Sequence, residues 1–278
     1  MYEISNDIRE NYKIYLPINF WFSKDIGNSL PLVATINSEI VLKLKINSLD
    51  KLLYIEDDGY LNKIPKLKAK LLVQYIYLDN NERSKIVNSN LEYIADRYHT
   101  DNINKYEFKN IIDKKIKSEF IFGYPVKYLV WRVKTKERSD NKLDVLDWMY
   151  NGYRTRDSDN RLTVINNMFN NINIQFNNIV RETDKNFLFY NYVTLYSKKI
   201  THLDNGEYIY LFALNPLDLQ PSGHVNMSAL ENIAIEHSLT DEFIDNIKNN
   251  DLIIDVQCFA RTIQIIRIIK GFIAPLFI

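Results

Sequence analysis

Three observations predict an all-β fold. The chain has 19 Tyr and 14 Phe against only 7 Gly and 7 Pro in 278 residues, apolar and polar residues alternate with period two in several runs, and turn-forming clusters separate those runs. Long and short runs together give about eight strands, the number expected of a jelly roll. The expected architecture is therefore an eight-stranded antiparallel jelly-roll β-sandwich with short helices and long loop insertions.

From residue 39 to 46, Ile40, Leu42, Leu44 and Ile46 oppose Glu39, Lys43 and Lys45, the pattern of a half-buried strand. Residues 68–78 and 126–133 are apolar or aromatic on both faces, as in a strand inside a sandwich or under a neighbouring subunit. Runs 187–203 and 207–214 flank Asp204-Asn205-Gly206, whose Asn-Gly pair signals a hairpin turn. Residues 252–269 supply two more runs, broken near Ala260, and shorter candidates lie near Ile121 and Ile172. Helices are minor. Asp79 is placed to cap a helix over 80–87, with Glu82 at the reciprocal capping-box position. Residues 240–248 read as a second helix, with Phe243, Ile244 and Ile247 on one face. The polar stretches 100–118 and 134–161 interrupt the strand rhythm and read as loops or insertions.

Composition excludes several functions. The 35 basic and 35 acidic side chains cancel, so no global field favours nucleic acid or an anionic membrane. The single cysteine, Cys258, excludes an intramolecular disulfide and fits a reducing compartment; it reads as a small core or interface residue. Glu3, Asp7, Arg9 and Glu10 break any apolar core of a leader, and Gln264, Arg267 and Lys270 interrupt the apolar tail, which reads as a buried strand pair and not as a membrane span. His99, His202, His224 and His237 have no metal-ligand spacing, and Glu56-Asp57-Asp58-Gly59 lacks the spaced ligands of a calcium loop, so no cofactor or metal is expected. Lys114, Lys115 and Lys117 read as a solvated face and Asn226-Met227-Ser228 as a structural turn rather than a glycan acceptor. Phe20-Trp21-Phe22 reads as the anchor of a connector, and Trp131 and Trp148 as packing residues.

The densest turn signal is Asn215-Pro216-Leu217-Asp218-Leu219-Gln220-Pro221-Ser222-Gly223-His224-Val225-Asn226-Met227-Ser228. Two prolines remove backbone donors, Gly223 permits a positive φ, and Ser222, Asn226 and Ser228 offer short side chains that bond nearby backbone. The segment also resembles the late motif of the major capsid proteins of nucleocytoplasmic large DNA viruses. Other stretches are similar to that family in its own order: Pro17 with Phe20-Trp21-Phe22, then Leu30-Pro31-Leu32; Leu78-Asp79-Asn80-Asn81-Glu82-Arg83 and Leu91-Glu92-Tyr93-Ile94; Pro125-Val126-Lys127-Tyr128-Leu129-Val130-Trp131; and Arg267-Ile268-Ile269-Lys270-Gly271.

The resemblance implies a structural capsid protein without catalysis. The family folds as two consecutive jelly rolls, and three copies form a pseudo-hexagonal capsomer of an icosahedral shell. It implies that residues 1–28 are the last strand of a preceding jelly roll plus the connector and that residues 29–278 are the C-terminal jelly roll. The partners implied are further copies of the chain, as a homotrimer when joined to the N-terminal jelly roll, and other capsid proteins, with no direct nucleic acid contact and no transmembrane segment. Its place would be the virion capsid, assembled in the host cytoplasm. The alternatives are a related scaffold or minor capsid protein and, further off, a carbohydrate-binding jelly-roll module.

Overall fold

A computed structural model describes residues 13–46, 68–137, 153–156, 162–165, 168–201, 203, 206–249 and 252–276. In chain order the strands are β1 (Leu91–Thr100), β2 (Asn104–Tyr106), β3 (Lys115–Phe120), β4 (Pro125–Glu137), β5 (Tyr153–Arg156), β6 (Leu162–Ile165), β7 (Phe169–Phe176), β8 (Ile179–Lys185), β9 (Glu207–Leu211), β10 (Val225–Asn226), β11 (Ile233–Leu239), β12 (Leu252–Ile269) and β13 (Phe272–Pro275).

Eight principal strands form two antiparallel layers. One has the order β1-β12-β4-β9, and the other β3-β11-β7-β8. The chain alternates between layers from β1 to β4, then runs β7-β8 within the second layer and crosses back and forth again from β9 to β12. This is jelly-roll connectivity. β2, β10 and β13 extend the first layer at its margins, and β5 and β6 form a separate ribbon.

The core lies between the layers. On β12, Leu252, Ile254, Val256, Cys258 and Ala260 point inward at period two, and on β4, Leu129, Trp131 and Val133 do the same. Ile116 and Phe120 on β3, Ile172 and Ile174 on β7, and Ile235 on β11 close the other side, while the outward Lys115, Lys117 and Glu119 keep the β3 edge polar. The helix Asp241–Asn249 follows Thr240, whose Oγ1 accepts from the Phe243 amide at 3.3 Å. It buries Phe243 and Ile247 over one end of the sandwich, as its sequence pattern predicts.

Several expectations are corrected. Run 252–269 is one continuous strand, not two; where a break was expected, its pairing with β4 shifts register between Arg261 and Thr262. Run 187–203 is not a strand: Phe189–Val193 is π-helical and Thr194–Tyr196 α-helical, because Tyr128 and Val130 on the outer face of β4 need a cover that Leu195 and Ile200 supply. β9 pairs with β4 and not with this run; Asp204 and Asn205 of the expected Asn-Gly turn lie outside the described residues. Within the loop expected over 100–118 lie β2 and the start of β3, and β4 runs on to Glu137. β11, a central strand, was not anticipated. His202, Trp148 and residues 56–59 lie outside the described residues.

Residues 39–46 and 68–78, read as strands, join no ladder among the described residues. Their apolar side chains are exposed, from Leu42 at 43 % to Tyr77 at 88 %, because no described strand lies alongside to cover them. The preceding residues make 3-10 turns at Trp21–Ser23, Ile26–Asn28 and Leu32–Ala34. The chain then lies against the β12–β13 hairpin: the Asn37 amide donates to Gly271 O at 3.0 Å, Asn37 Nδ2 to Lys270 O at 3.0 Å, and the Ile273 amide to Ser38 Oγ at 3.0 Å.

Gly271 is constrained twice, by a φ of +87° in the hairpin turn and by Asn37 Nδ2, which a Cβ would meet at 2.6 Å. Gly271→Ala is expected to cost about 1–2 kcal/mol, the order of the left-handed penalty, and to raise hydrogen exchange at residues 36–38. Urea unfolding and exchange mass spectrometry check both.

Candidate functional site: a clasp at the start of strand β4

Two of the motif stretches, Pro125–Trp131 and Asn215–Ser228, meet where β4 begins. Proline suits this place because Pro125 has no amide to donate and stands at the strand's first position; it faces Asn226, and Val126 faces Val225. The Tyr124 amide donates to Ser228 Oγ at 2.9 Å, the Met227 amide donates to Tyr124 O at 3.0 Å, and Asn226 Oδ1 accepts from the Ser228 amide at 3.1 Å. The Asn226 carbonyl oxygen is thus engaged in its own turn.

The loop from Leu214 to Ser222 is closed at its base. The Asn215 amide donates to Ser222 Oγ at 2.7 Å, that hydroxyl returns a bond to Asn215 O at 3.2 Å, and the Leu214 amide donates to Ser222 O at 3.2 Å. Pro216 is buried, Gln220 exposed and Pro221 half-buried. Gly223 has a φ of +128°, and a Cβ there would meet Phe212 O at 3.1 Å. Only glycine makes this reversal without strain.

Lys127, within the Pro125–Trp131 stretch, anchors the loop. Arg261 faces Tyr128 but Thr262 faces Val126, so Lys127 is the extra residue of the bulge. Its carbonyl accepts from the Phe212 and Ala213 amides at 3.0 and 3.1 Å. Its fully buried ammonium donates to Asp218 O in the loop and to Asp96 Oδ1 at 3.3 Å. Asp96 also pairs with Arg261 Nη2, and Arg261 Nη1 donates to the hydroxyls of Tyr98 and Tyr128, each at 3.0 Å. One carboxylate therefore serves two buried cations. Burial pulls the Lys127 ammonium below its usual range against the opposing pull of Asp96, and burial, with the Tyr98 hydrogen bond, pushes the Tyr128 phenol up to about 12. The available signal was a charge in an apolar strand: Asp96 within Tyr93-Ile94-Ala95, Arg261 within Phe259-Ala260.

Other motif residues lie elsewhere. Phe20 and Phe22 stack at 5.0 Å and Trp21 packs on Tyr93 of β1 at 5.2 Å, so this triplet ties the N-terminal segment to the sandwich. Pro17 is exposed; Leu30 and Pro31 are half-buried, and Leu32 opens the turn that packs against the helix Asn80–Asn88. In that helix the Glu82 amide donates to Asp79 Oδ1 at 2.8 Å and the Asp79 amide donates back to Glu82 Oε2 at 3.4 Å, the expected capping box, with Arg83 exposed. Arg267 pairs with Glu92 at 2.7 Å on the surface. Trp131 is in the core.

The bonds of the clasp run mainly to backbone and between its own side chains. Among the described residues no group of three or more His, Cys, Asp or Glu is placed to hold a metal, and no helix is long and apolar enough to cross a membrane.

Comparison with known proteins is decisive for the family. Residues 82–274 match the family described as large eukaryotic DNA virus major capsid protein. The chain belongs to this family. Residues 2–79 match a second family, major capsid protein N-terminus. The major capsid protein of Pyramimonas orientalis virus is 23 % identical over 262 residues, covering 93 % of this chain and 59 % of the relative. That of Paramecium bursaria Chlorella virus 1 is 23 % identical over 234 residues, covering 80 % of this chain and 54 % of the relative. The chain thus spans little more than half of these relatives. The PBCV-1 virus capsid structure superposes with a TM-score of 0.54 at 18 % identity over 73 % of this chain and 55 % of that one. The Faustovirus major capsid protein gives 0.52 at 13 % identity over 68 % and 36 %. These likenesses show a shared jelly-roll fold over the superposed part of the chain.

The cluster makes a ranked prediction. Asp96→Asn leaves two buried cations without a carboxylate and is expected to cost about 3–5 kcal/mol. Lys127→Met leaves Asp96 paired with Arg261 and is expected to cost less globally, while freeing the loop. Urea midpoints give the ranking, and limited proteolysis between residues 214 and 222 reports the loop.

Proposed function

We propose that this chain is a structural building block of a viral shell, supplying the C-terminal jelly roll of a major capsid protein to capsomers of an icosahedral large DNA virus. The observation that carries this reading is coincidence of extent: the capsid family match covers 82–274, and the jelly-roll ladders run from Leu91 to Pro275. The whole assembled unit is a homotrimer in which each C-terminal jelly roll is joined to an N-terminal one, with other capsid proteins alongside, and it is built in the host cytoplasm before residing in the virion.

The N-terminal boundary follows from the same reading. The connector motif suggests a division after residue 28, whereas the two family matches meet between residues 79 and 82. The exposed apolar side chains at 39–46 and 68–78, which have no strand beside them among the described residues, favour the later division. These segments are strands of the N-terminal jelly roll, and the remaining strands of that unit cover them.

The test is the native mass of the full chain by size-exclusion chromatography with light scattering, over a range of concentrations, alone and with a polypeptide carrying the remaining N-terminal jelly roll. Expected are concentration-dependent association alone and discrete trimeric rings with the added half, visible by electron microscopy. A stable monomer at high concentration that stays monomeric with the added half would overturn the reading.

A further inference from the structure

Trp131 on β4 and His237 on β11 meet across the interior, one from each layer of the sandwich. Trp131 Nε1 donates to His237 Nε2 at 3.0 Å, and both side chains are fully buried. An indole N–H has no acceptor capacity, so the bond requires a lone pair on Nε2 and places the imidazole proton on Nδ1. The ring is therefore held in its neutral form by geometry alone.

Among the described residues no charged group faces it. From β3, Ile116 stands opposite His237; from β7, Ile172 is in register and the Phe169 ring lies 4.7 Å away. Phe243 of the helix Asp241–Asn249 packs on Phe169. Tyr190 and Tyr208 pack against Trp131 at 5.4 and 5.6 Å, and Cys258 of β12 stands opposite Trp131 in the ladder. Burial raises the pKa of both phenols and of the thiol, so all three are neutral. The neighbouring charges, Glu236 and Lys115, pair with each other at 3.0 Å on the outer face of the sheet.

We propose that the Trp131–His237 hydrogen bond is an acid-release latch between the two layers of this jelly roll. A proton can reach Nε2 only once the bond has broken, and the resulting imidazolium N–H would then point at the indole N–H, donor against donor, with no carboxylate to compensate. Protonation therefore favours parted layers. Burial holds the folded imidazole at about 3 against 6.5 when free. Because the folded value is depressed, the open state takes up a proton that the closed state refuses, and stability is lost as pH falls from 6.5 toward 3. At pH 5 the opening equilibrium should be about 30-fold more favourable than at pH 7.5 from this group alone.

The test is urea unfolding of the full chain at pH 7.5 and 5, wild type against His237→Gln, whose amide oxygen can still accept from Trp131 and does not titrate. The variant is expected to lose about 30-fold of the wild-type shift between the two pH values. An equal shift in both proteins would overturn the latch. In parallel, nitrogen NMR of the wild type should show His237 as the neutral Nδ1–H tautomer down to pH 5 in the folded state. Titration near 6.5 while folded would overturn the latch, and this measurement decides if His237→Gln does not fold.

Discussion

Strand β4 is apolar on both faces, and the need to cover both organises the molecule. Leu129, Trp131 and Val133 face the second layer, while Tyr128 and Val130 face away from it. A jelly roll covers only the inner face of each sheet, so the outer face of β4 would be left in water. The π-helical and α-helical segment from Phe189 to Tyr196 supplies the cover through Leu195, with Ile200 and Leu203 following it. The switch from β8 to β9 is consequently a helical crossover instead of a hairpin. Fully burying one such aliphatic or aromatic side chain is worth about 1.5–3 kcal/mol, enough to outweigh the strand propensity of Phe187-Leu188-Phe189-Tyr190.

Where that apolar strand ends, the bulge at Lys127 changes the chemistry. A regular ladder would leave Lys127 paired in the sheet; the extra residue frees its carbonyl for two amides and sends its ammonium into a pocket beside Asp96. A lysine buried without partners would lose several kcal/mol of hydration, so the loop carbonyl of Asp218 and the carboxylate of Asp96 are conditions for Lys127 to be there at all. The loop in turn depends on Lys127. This mutual requirement ties β1, β4, β12 and the turn-rich segment into one unit, and it gives the Asn215–Ser228 motif a structural role without any reacting group.

What the sequence disclosed follows the range of the interactions. The capping box at Asp79 and Glu82 and the helix at 241–249 were legible because their hydrogen bonds span three or four residues. β4 was legible as an apolar run that needs cover on both faces, and β12 as alternating runs, although its continuity through Ala260 was not. β11 was not, since Glu236 and His237 interrupt its apolar run, and His237 is tolerated only because Trp131, 106 positions earlier, supplies a donor. Asp96 and Arg261 are 165 positions apart, and no local pattern joins them. The turn motif was legible as a turn, but its dependence on Lys127 was not, because a lysine in a strand ordinarily reads as surface.

The extended runs at 39–46 and 68–78 show a different kind of mismatch, in which the pattern is that of a strand and the ladder is missing. Alternation of Ile40, Leu42, Leu44 and Ile46 with charged residues is costly to display in water, at about 25 cal/mol per Å² of apolar surface, and has a physical purpose only beside another strand. The closed sandwich does not compete for that pairing. Its β3 edge presents Lys115, Lys117 and Glu119, and its β8 edge presents Arg181, Glu182 and Asp184, charges of the sort that discourage edge-to-edge association. Exposed apolar side chains run along the N-terminal segments at 39–46 and 68–78, and others stand singly on the jelly roll, among them Ile121, Ile179, Tyr196 and Leu214. The charged β3 and β8 edges and the uncovered apolar runs at 39–46 and 68–78 therefore differ in kind: the edges carry groups that oppose strand addition, while the runs carry side chains that only a complementary strand or packed face would bury.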